Sequence, residues 1–142
     1  MGKIRFIGAA DIPFRRGSSA GNPDVPLEER VNTETRYFTT GSESEGQLME
    51  ARFLPGLVIS SHAHHAPEVV YIVEGELHFG NRVCGPGSVI EVPADTLYGF
   101  RAGSDGVRFL NFRPRNDNSY VSKEAFMTAR RGTPPVGKAS AE

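Results

Sequence analysis

The segment between Gly56 and Gly75 constrains this chain most, because it gathers three of the four histidines and one glutamate within seven residues. Its first thirteen residues are Gly-Leu-Val-Ile-Ser-Ser-His62-Ala-His64-His65-Ala-Pro-Glu68. His62 and His64 are two residues apart, and alternate side chains of a β-strand leave the same face. A proline before Glu68 allows a turn that returns the carboxylate to the imidazoles. We therefore expect His62, His64 and Glu68 to converge on one point.

Neutral imidazole nitrogens and a carboxylate are ligands that suit divalent iron, manganese, zinc or nickel. Burying such groups without partners costs several kcal/mol, which a bound cation would offset. Two histidines and one carboxylate with open positions form the metal site of non-haem iron(II) oxygenases. The same centre could instead act as a Lewis acid in isomerase or lyase chemistry. We expect a divalent transition metal as cofactor, without a preference for one element.

The spacing Gly-x5-His-x-His-x3-Glu-x6-Gly resembles the first signature of the cupin superfamily. The second cupin signature is Gly-x5-Pro-x-Gly-x2-His-x3-Asn, which Gly87 and Pro93 match. Its remaining glycine, histidine and asparagine are replaced here by Asp95, Tyr98 and Ala102. The resemblance covers residues 45–113 and implies an all-β fold, a single cupin barrel of the double-stranded β-helix or jelly-roll type, with the metal inside.

Composition and length agree with one small β domain. The chain has 142 residues, 16 glycines and 10 prolines, which suits short strands joined by many turns. We expect an N-terminal arm with at most one edge strand over residues 1–34, the barrel over 35–115, and a short helix with a flexible tail over 116–142.

The strand pattern is clearest after the histidines. The apolar run Val69–Val73 predicts a strand buried on both faces, turned by Gly75 into a return strand whose His78 faces outward. Further strands are predicted over residues 89–92, 96–101 and 107–112. The first predicted helix begins only after Ser122, which can cap it, and ends at Gly132.

Tyr98 stands where the cupin resemblance implies a fourth ligand, and three roles are open to it. Its phenolate could bind the metal, its hydroxyl could donate a hydrogen bond to substrate or to a metal-bound oxygen, or its ring could pack in the barrel. We favour the second and third together and name Tyr98 as the candidate catalytic residue. The replacement at Asp95 is mild, because aspartate tolerates left-handed turn geometry.

The substrate pocket is expected among inward residues of neighbouring strands. Ser60 is in phase with His62 and His64, and we take it with Phe100 as the pocket residues. Weaker candidates are Met49 and either Tyr71 or Ile72. Arg36 and Arg52 could hold a substrate carboxylate but are expected on the outer surface. His65 is expected to leave the opposite strand face.

These features predict a metal-binding enzyme acting on a small organic substrate, of dioxygenase, isomerase or lyase type. The alternative is a non-catalytic cupin that binds or senses a small molecule. A formal charge of −1 favours neither nucleic acid nor a membrane surface as partner.

The N-terminus and the cysteine content suggest a compartment and a partner. The first residues are too polar for a signal peptide, and Cys84 is the only cysteine, so a cytoplasmic location is expected. Ile4, Phe6 and Ile7 could add an edge strand either to the barrel or to a neighbouring copy, and we expect a homodimer.

Overall fold

The computed structural model describes residues 2–17, 22–42 and 46–132, which form an antiparallel β-barrel with two short α-helices and one 3-10 helix over Ala9–Asp11. The strands are β1 (Arg15–Arg16), β2 (Thr33–Thr40), β3 (Gln47–Phe53), β4 (Val58–Ala63), β5 (Glu68–Phe79), β6 (Arg82–Cys84), β7 (Val89–Val92), β8 (Tyr98–Arg113) and β9 (Val121–Ser122). The helices are α1 (Leu27–Val31) and α2 (Lys123–Gly132). The predicted all-β class is confirmed. The tail after residue 132, predicted to be flexible, lies outside the described residues.

Two long strands, β5 and β8, organise the barrel. They pair antiparallel from Val69 opposite Phe112 to His78 opposite Arg101. The first half of β5 also pairs with β7, and its second half pairs with β6. The second half of β8 pairs with β3, which leads on to β2 and β1, and its first half pairs with β4. Each long strand therefore belongs to two sheets, and these enclose one interior in the jelly-roll manner.

The prediction that Gly75 reverses the chain is wrong, because β5 continues through it. Gly75 has a φ of +79°, a left-handed value, and a Cβ atom there would collide with the backbone of Gly106 on β8. Glycine thus lets the two backbones approach closely and bend together. On the other side of this contact, β8 continues through Gly106. The two strands predicted over residues 96–101 and 107–112 are therefore a single strand.

The core lies between the sheets and is centred on Ile72, Leu77, Ala102 and Phe109. The run Val69–Val73, predicted to be buried on both faces, instead alternates: Val70 and Ile72 are buried, whereas Val69 and Tyr71 are exposed. The reason is that, in the described part of the chain, no further layer of structure covers the outer face of β5. Apolar side chains therefore stand on the outside of this sheet.

The helices were partly predicted. Helix α2 is confirmed, and the Ser122 hydroxyl accepts a hydrogen bond from the Ala125 N–H at 3.1 Å, as expected of a cap. Helix α1 was missed because it has only five residues and no side-chain cap. Of the helices described, none is long and apolar enough to cross a membrane.

A buried ion-pair cluster ties the outer face of the sheet together. Glu50 on β3 is only 3% exposed and contacts Arg36 at 2.6 Å and Arg108 at 2.5 Å. Burial raises the pKa of Glu50, but the hydrogen bonds from Arg108 and Arg36 outweigh it and hold the pKa below its ordinary 4.5. Arg36 also donates to the carbonyls of Ala9 and Ile12, so the cluster anchors the N-terminal arm. Arg36 thus lies on the outer surface, as expected.

We predict that Glu50→Gln lowers the free energy of unfolding at pH 7 by about 3 kcal/mol, because two partly buried guanidinium groups lose the carboxylate they share and Arg108 keeps only its longer contact with the exposed Glu74. Since the pKa of Glu50 is depressed, its contribution is complete above pH 4.5 and is lost as the pH falls through the folded-state pKa. Urea unfolding at pH 7 and pH 3 should therefore show less acid destabilisation in this variant than in wild type. Glu91→Gln, at an exposed site, is the control, and an unchanged stability in Glu50→Gln would contradict the assignment.

Candidate metal centre and cavity

A β-bulge in β4 determines which of its side chains enter the barrel. Ile59 pairs with Phe100 and His62 pairs with Tyr98, so two β4 residues face one β8 residue between them. Ile59 and His62 consequently point inward and line the cavity, whereas Ser60 is exposed and does not. The expectation that Ser60 lines the pocket in phase with the histidines is therefore wrong, because the extra residue changes the phase.

Backbone carbonyls hold the two inward imidazoles. His62 Nδ1 lies 2.7 Å from the carbonyl oxygen of Ser60, and His64 Nδ1 lies 2.5 Å from that of Ser119. A carbonyl oxygen only accepts, so each Nδ1 carries the hydrogen and each Nε2 has a free lone pair. Histidines that bind metals are commonly held in this way, with one nitrogen donating to a carbonyl. The ring centroids of His62 and His64 are 4.8 Å apart.

The surroundings keep both imidazoles neutral at pH 7. Burial lowers the pKa of His62 below its ordinary 6.5. Burial, and next the Arg113 guanidinium, lower the pKa of His64 to about 4. Neutral imidazole is the form that offers a lone pair to a metal ion or to a substrate proton.

Glu68 begins β5 and is buried, with 3% of its surface exposed. The Tyr98 hydroxyl donates to its Oε2 at 2.6 Å, and the Asn111 side-chain amide donates to its Oε1. The Arg113 guanidinium lies 3.7 Å from the same Oε1. His64 Nε2 lies 3.9 Å from Oε2, so the structure brings Glu68 and His64 together as the sequence predicts.

The donor chemistry fits a divalent cation, although the donors stand slightly apart. Two ligand atoms on one tetrahedral ion lie about 3.4 Å from each other, given bonds near 2.1 Å. Among the residues that the structure describes, no three histidine, cysteine, aspartate or glutamate side chains are yet close enough to hold an ion. The His64–Glu68 distance of 3.9 Å exceeds this separation by about 0.5 Å.

Charge in the cavity also favours a cation. The described residues that line it include the carboxylates Glu29, Glu68 and Asp117 and a single basic side chain, Arg113. With neutral histidines the lining therefore has more formal negative than positive charge. A divalent cation would balance this excess and compensate the burial of the carboxylates.

Tyr98 occupies the position beside the two histidines that the sequence assigns to it. Its ring centroid lies 4.6 Å from that of His62. Burial, and next the charge of Glu68, raise the pKa of Tyr98 well above its ordinary 10, so the hydroxyl keeps its proton and donates to Glu68. Of the three roles left open, the hydrogen bond to Glu68 favours the hydrogen-bond donor. The acceptor here is Glu68.

Sequence reasoning missed several side chains that complete the site. Asn111 and Arg113 lie two and four residues after Phe109 on β8 and so share its inward face. This alternation in the sequence could have identified them. Tyr120 stacks on His62 with an interplanar angle of 11° and a centroid separation of 4.9 Å, and no local pattern marked it.

Glu29 is a further missed residue, because α1 itself was missed. It is 7% exposed, and its Oε2 accepts from the Ser60 hydroxyl at 2.6 Å and from the Ser60 N–H at 3.2 Å. The Ser60 carbonyl in turn holds His62. Glu29 therefore orients His62 through Ser60.

The cavity of about 140 Å³ has a polar and an apolar end. The histidines, Glu68, Asn111 and Arg113 form the polar end. Aromatic and aliphatic side chains form the other: Met49, Phe53, Phe79, Phe100 and Phe109. Phe53 and Phe100 stack with an interplanar angle of 3°. The structure thus places Phe100 and Met49 in the lining, whereas Tyr71 stands outside and Ile72 belongs to the core.

Two buried polar atoms in the cavity lining have no hydrogen-bond partner among the described residues: Asn111 Oδ1 and Arg113 Nε. Buried polar groups are nearly always paired in folded proteins. One of these atoms accepts and the other donates, so a bound molecule with both a donor and an oxygen acceptor would satisfy them.

The two remaining histidines lie outside the cavity. His65 pairs with Asp95 at 3.0 Å, and His78 pairs with Glu76 at 3.1 Å on the outer surface. Asp95 has a φ of +56°, which confirms that this aspartate takes the left-handed conformation of the glycine it replaces. The turn of the degraded second signature is therefore intact.

No protein-family model and no curated protein sequence matches this chain. Solved structures do match in fold. An RmlC-like cupin from Ralstonia eutropha aligns with a TM-score of 0.66 and 14% identity over 92% of this chain and 86% of its own. The polyketide cyclase RemF from Streptomyces resistomycificus aligns at 0.63 and 19% over 98% and 100%. A cupin sugar phosphate isomerase from Silicibacter pomeroyi aligns at 0.63 and 20% over 79% and 76%. The predicted cupin fold is confirmed.

We predict that Tyr98→Phe lowers the free energy of unfolding by about 2 kcal/mol, because it removes a hydrogen bond to a buried carboxylate. Chemical denaturation monitored by circular dichroism at pH 7 measures this loss. Tyr71→Phe is the matched control, since the Tyr71 side chain is exposed on the outer face. Equal stability of the two variants would show that the Tyr98 hydroxyl does not hold Glu68.

Proposed function

We propose, on the premise of the cupin fold, that this protein is a metal-dependent enzyme acting on a small organic molecule. His62, His64 and Glu68 hold a divalent transition metal such as iron, manganese, zinc or nickel. The observation that carries the proposal is the pair of neutral imidazoles, each held through Nδ1 by a carbonyl, beside a buried carboxylate at the polar end of an aromatic cavity. This arrangement exposes lone pairs and is costly without a ligand.

The proposed chemistry is proton transfer next to a carbonyl or hydroxyl group, of the isomerase or lyase type. When bound, the metal would polarise a substrate oxygen and stabilise negative charge that develops on it. Two of the solved structures similar in fold are described as a cyclase and an isomerase. The dioxygenase alternative uses the same ligand set, and oxygen consumption during turnover would identify it.

The cavity indicates the class of substrate. Its volume of about 140 Å³ is close to that of engineered protein cavities, about 150 Å³, that hold one benzene ring. Phenylalanine rings cover the apolar end. At the polar end, Arg113 Nε and Asn111 Oδ1 have no hydrogen-bond partner among the described residues. A small cyclic or unsaturated molecule with a hydroxyl and a carbonyl or carboxylate oxygen fits both ends.

Tyr98 is the residue to which we assign the proton-donating role. Its ring lies among His62, Phe79 and Phe100, between the polar and the apolar end. Its hydroxyl donates a hydrogen bond to Glu68 at 2.6 Å, and a substrate oxygen in the cavity would compete with Glu68 for this proton. Arg113 and Asn111 orient the substrate, and the aromatic rings exclude water from the reacting atoms.

We predict that the purified protein binds one equivalent of Mn²⁺ or Zn²⁺ in isothermal titration and retains metal in elemental analysis. His62→Ala and His64→Ala should each weaken binding more than about 100-fold, because even outer partners of metal ligands contribute roughly 10- to 100-fold. His65→Ala and His78→Ala keep the histidine count equal to that of the test variants and should bind as wild type does. Metal binding that survives both His62→Ala and His64→Ala would overturn the proposal.

Glu29 provides a second test of the centre, because it acts on His62 only through Ser60. Glu29→Gln should weaken metal binding roughly 10- to 100-fold, as loss of an outer partner does. It should also lower the population of the Nδ1–H tautomer of His62 in the metal-free protein, which ¹⁵N NMR detects. Glu28→Gln is the control, because Glu28 is the exposed neighbour on the same helix. An unchanged tautomer in Glu29→Gln would exclude this positioning role.

A non-catalytic binding protein is the second candidate. It is favoured by the contacts of Glu68, because Tyr98, Asn111 and Arg113 already occupy both of its carboxylate oxygens. In that case the cavity would bind the same class of small molecule reversibly. Stoichiometric ligand binding without metal uptake and without product would support this candidate over the enzyme.

A further inference from the structure

Arg113 is the one arginine or lysine among the described residues that line the cavity, and it is already paired. Its Nη1 donates to the backbone carbonyl of Asp117 at 2.8 Å and to the Asp117 carboxylate at 3.0 Å. Its Nη2 lies 3.7 Å from Glu68 Oε1. All three side chains are at most 10% exposed. One guanidinium thus faces two buried carboxylates, and no excess of positive charge is left for an anionic ligand.

The fold holds Asp117 in this place. Its backbone N–H donates to Gln47 Oε1 at 3.0 Å, and Gln47 is only 2% exposed. Gln47 on β3 pairs with Arg113 on β8 in the sheet. The chain therefore turns back after β8 and returns the Asp117 carboxylate to Arg113. A ligand carboxylate would have to displace a carboxylate that the protein's own backbone positions.

The two hydrogen-bonding atoms left without a partner at this end are an acceptor and a donor. Both oxygens of Glu68 accept hydrogen bonds, Oε1 from the Asn111 side-chain nitrogen and Oε2 from Tyr98. The Asn111 amide therefore keeps its nitrogen towards Glu68, which leaves Oδ1 as an acceptor without a partner among the described residues. Arg113, two residues along the same strand, has Nε as a donor without such a partner.

These two atoms distinguish an amide or hydroxy-carbonyl group from a carboxylate. Asn111 Oδ1 needs a ligand hydrogen, and Arg113 Nε needs a ligand oxygen. A neutral group with an N–H or O–H beside a carbonyl offers both. A carboxylate offers acceptors alone, so Asn111 Oδ1 would face the lone pairs of another oxygen. Leaving a buried polar atom unpaired costs more than the hydrogen bond itself contributes.

The charge of the whole lining leads to the same preference. The carboxylates Glu29, Glu68 and Asp117 stand against Arg113, so the described lining has a formal charge of −2 when the histidines are neutral. A divalent cation brings this charge to zero. A neutral ligand then leaves the cavity neutral, whereas a carboxylate would add a buried negative charge.

We propose that the cavity selects an uncharged ligand, an amide or a hydroxy-carbonyl compound, over the carboxylate of the same shape. Asp117 sets this preference by occupying Arg113. The inference rests on the proposed function, in which this cavity holds the substrate, and it narrows the acceptor of that substrate to a carbonyl oxygen.

Titration of the metal-free protein with benzamide and with benzoate, followed by ¹H–¹⁵N NMR at pH 7, tests this preference. The two compounds share a ring and a shape, and benzamide alone combines a donor with a carbonyl oxygen. Benzamide should bind at least about 10-fold more tightly, because benzoate leaves Asn111 Oδ1 unpaired and adds a charge. The Asn111 side-chain amide signals should shift when benzamide binds.

Asp117→Asn removes the charge that occupies Arg113, while the backbone hydrogen bond to Gln47 should stay. It should raise the affinity for benzoate at least about 10-fold and change that for benzamide less than about 3-fold, because only the anion gains from a free guanidinium. Asp105→Asn is the matched control, since Asp105 is exposed on β8 and its replacement changes the net charge equally. This control should bind both compounds as wild type does.

Benzoate that binds wild type as tightly as benzamide, binding of neither compound, or shifts that leave Asn111 unaffected would each overturn the inference, and none of these results needs a variant to fold. An unchanged benzoate affinity in folded Asp117→Asn would exclude the role of Asp117. Metal uptake by His62 and His64 is measured separately. Its absence with the benzamide preference retained would count against the proposed function alone, and the reverse result against this inference alone.

Discussion

The hydrogen-bonded carboxylate of Glu68 is the interaction on which the rest of the site depends. It contacts Tyr98 at one end of β8 and Asn111 near the other end. Thirteen residues of straight strand would separate these two side chains by about 43 Å. They meet at one carboxylate only because β8 leaves one sheet and enters the other. Closure of the barrel is therefore what brings these polar side chains together.

Segments outside the barrel complete what the strands begin. Helix α1 supplies Glu29, which holds Ser60 and through it His62. The segment after β8 supplies the Ser119 carbonyl that holds His64 and the Tyr120 ring that stacks on His62. His64 is thus held from outside the strands, and His62 is held by β4 itself with support from Glu29 and Tyr120, while both rings line the cavity. The Nδ1 atoms therefore orient the two rings, and the Nε2 atoms are left for the chemistry proposed for the centre.

Alternate side chains of β5 face the interior and the outer side of the barrel. Along β5, Val70 and Ile72 build the core, while Val69 and Tyr71 are exposed on the outer side of the barrel. Because β-branched and aromatic residues occupy both positions, the pattern predicted burial on both sides. Among the described residues no further layer covers the outer side of β5, so Val69 and Tyr71 stay exposed there. On the same outer side, Arg36 of the Glu50 cluster anchors the N-terminal arm.

The sequence by itself determined the cupin fold, the strand-rich pattern and the approach of His62, His64 and Glu68, because ligand spacing and turn residues act over short distances. It also indicated Tyr98 beside the histidines and the left-handed turn at Asp95. The position of Ser60, the continuity of β5 and β8, and the contributions of Glu29, Asn111, Arg113 and Tyr120 were decided only by the tertiary structure. A bulge shifts by one residue the side chains that face the interior, and barrel closure brings together residues that are far apart in the chain. Neither effect leaves a pattern in the local sequence.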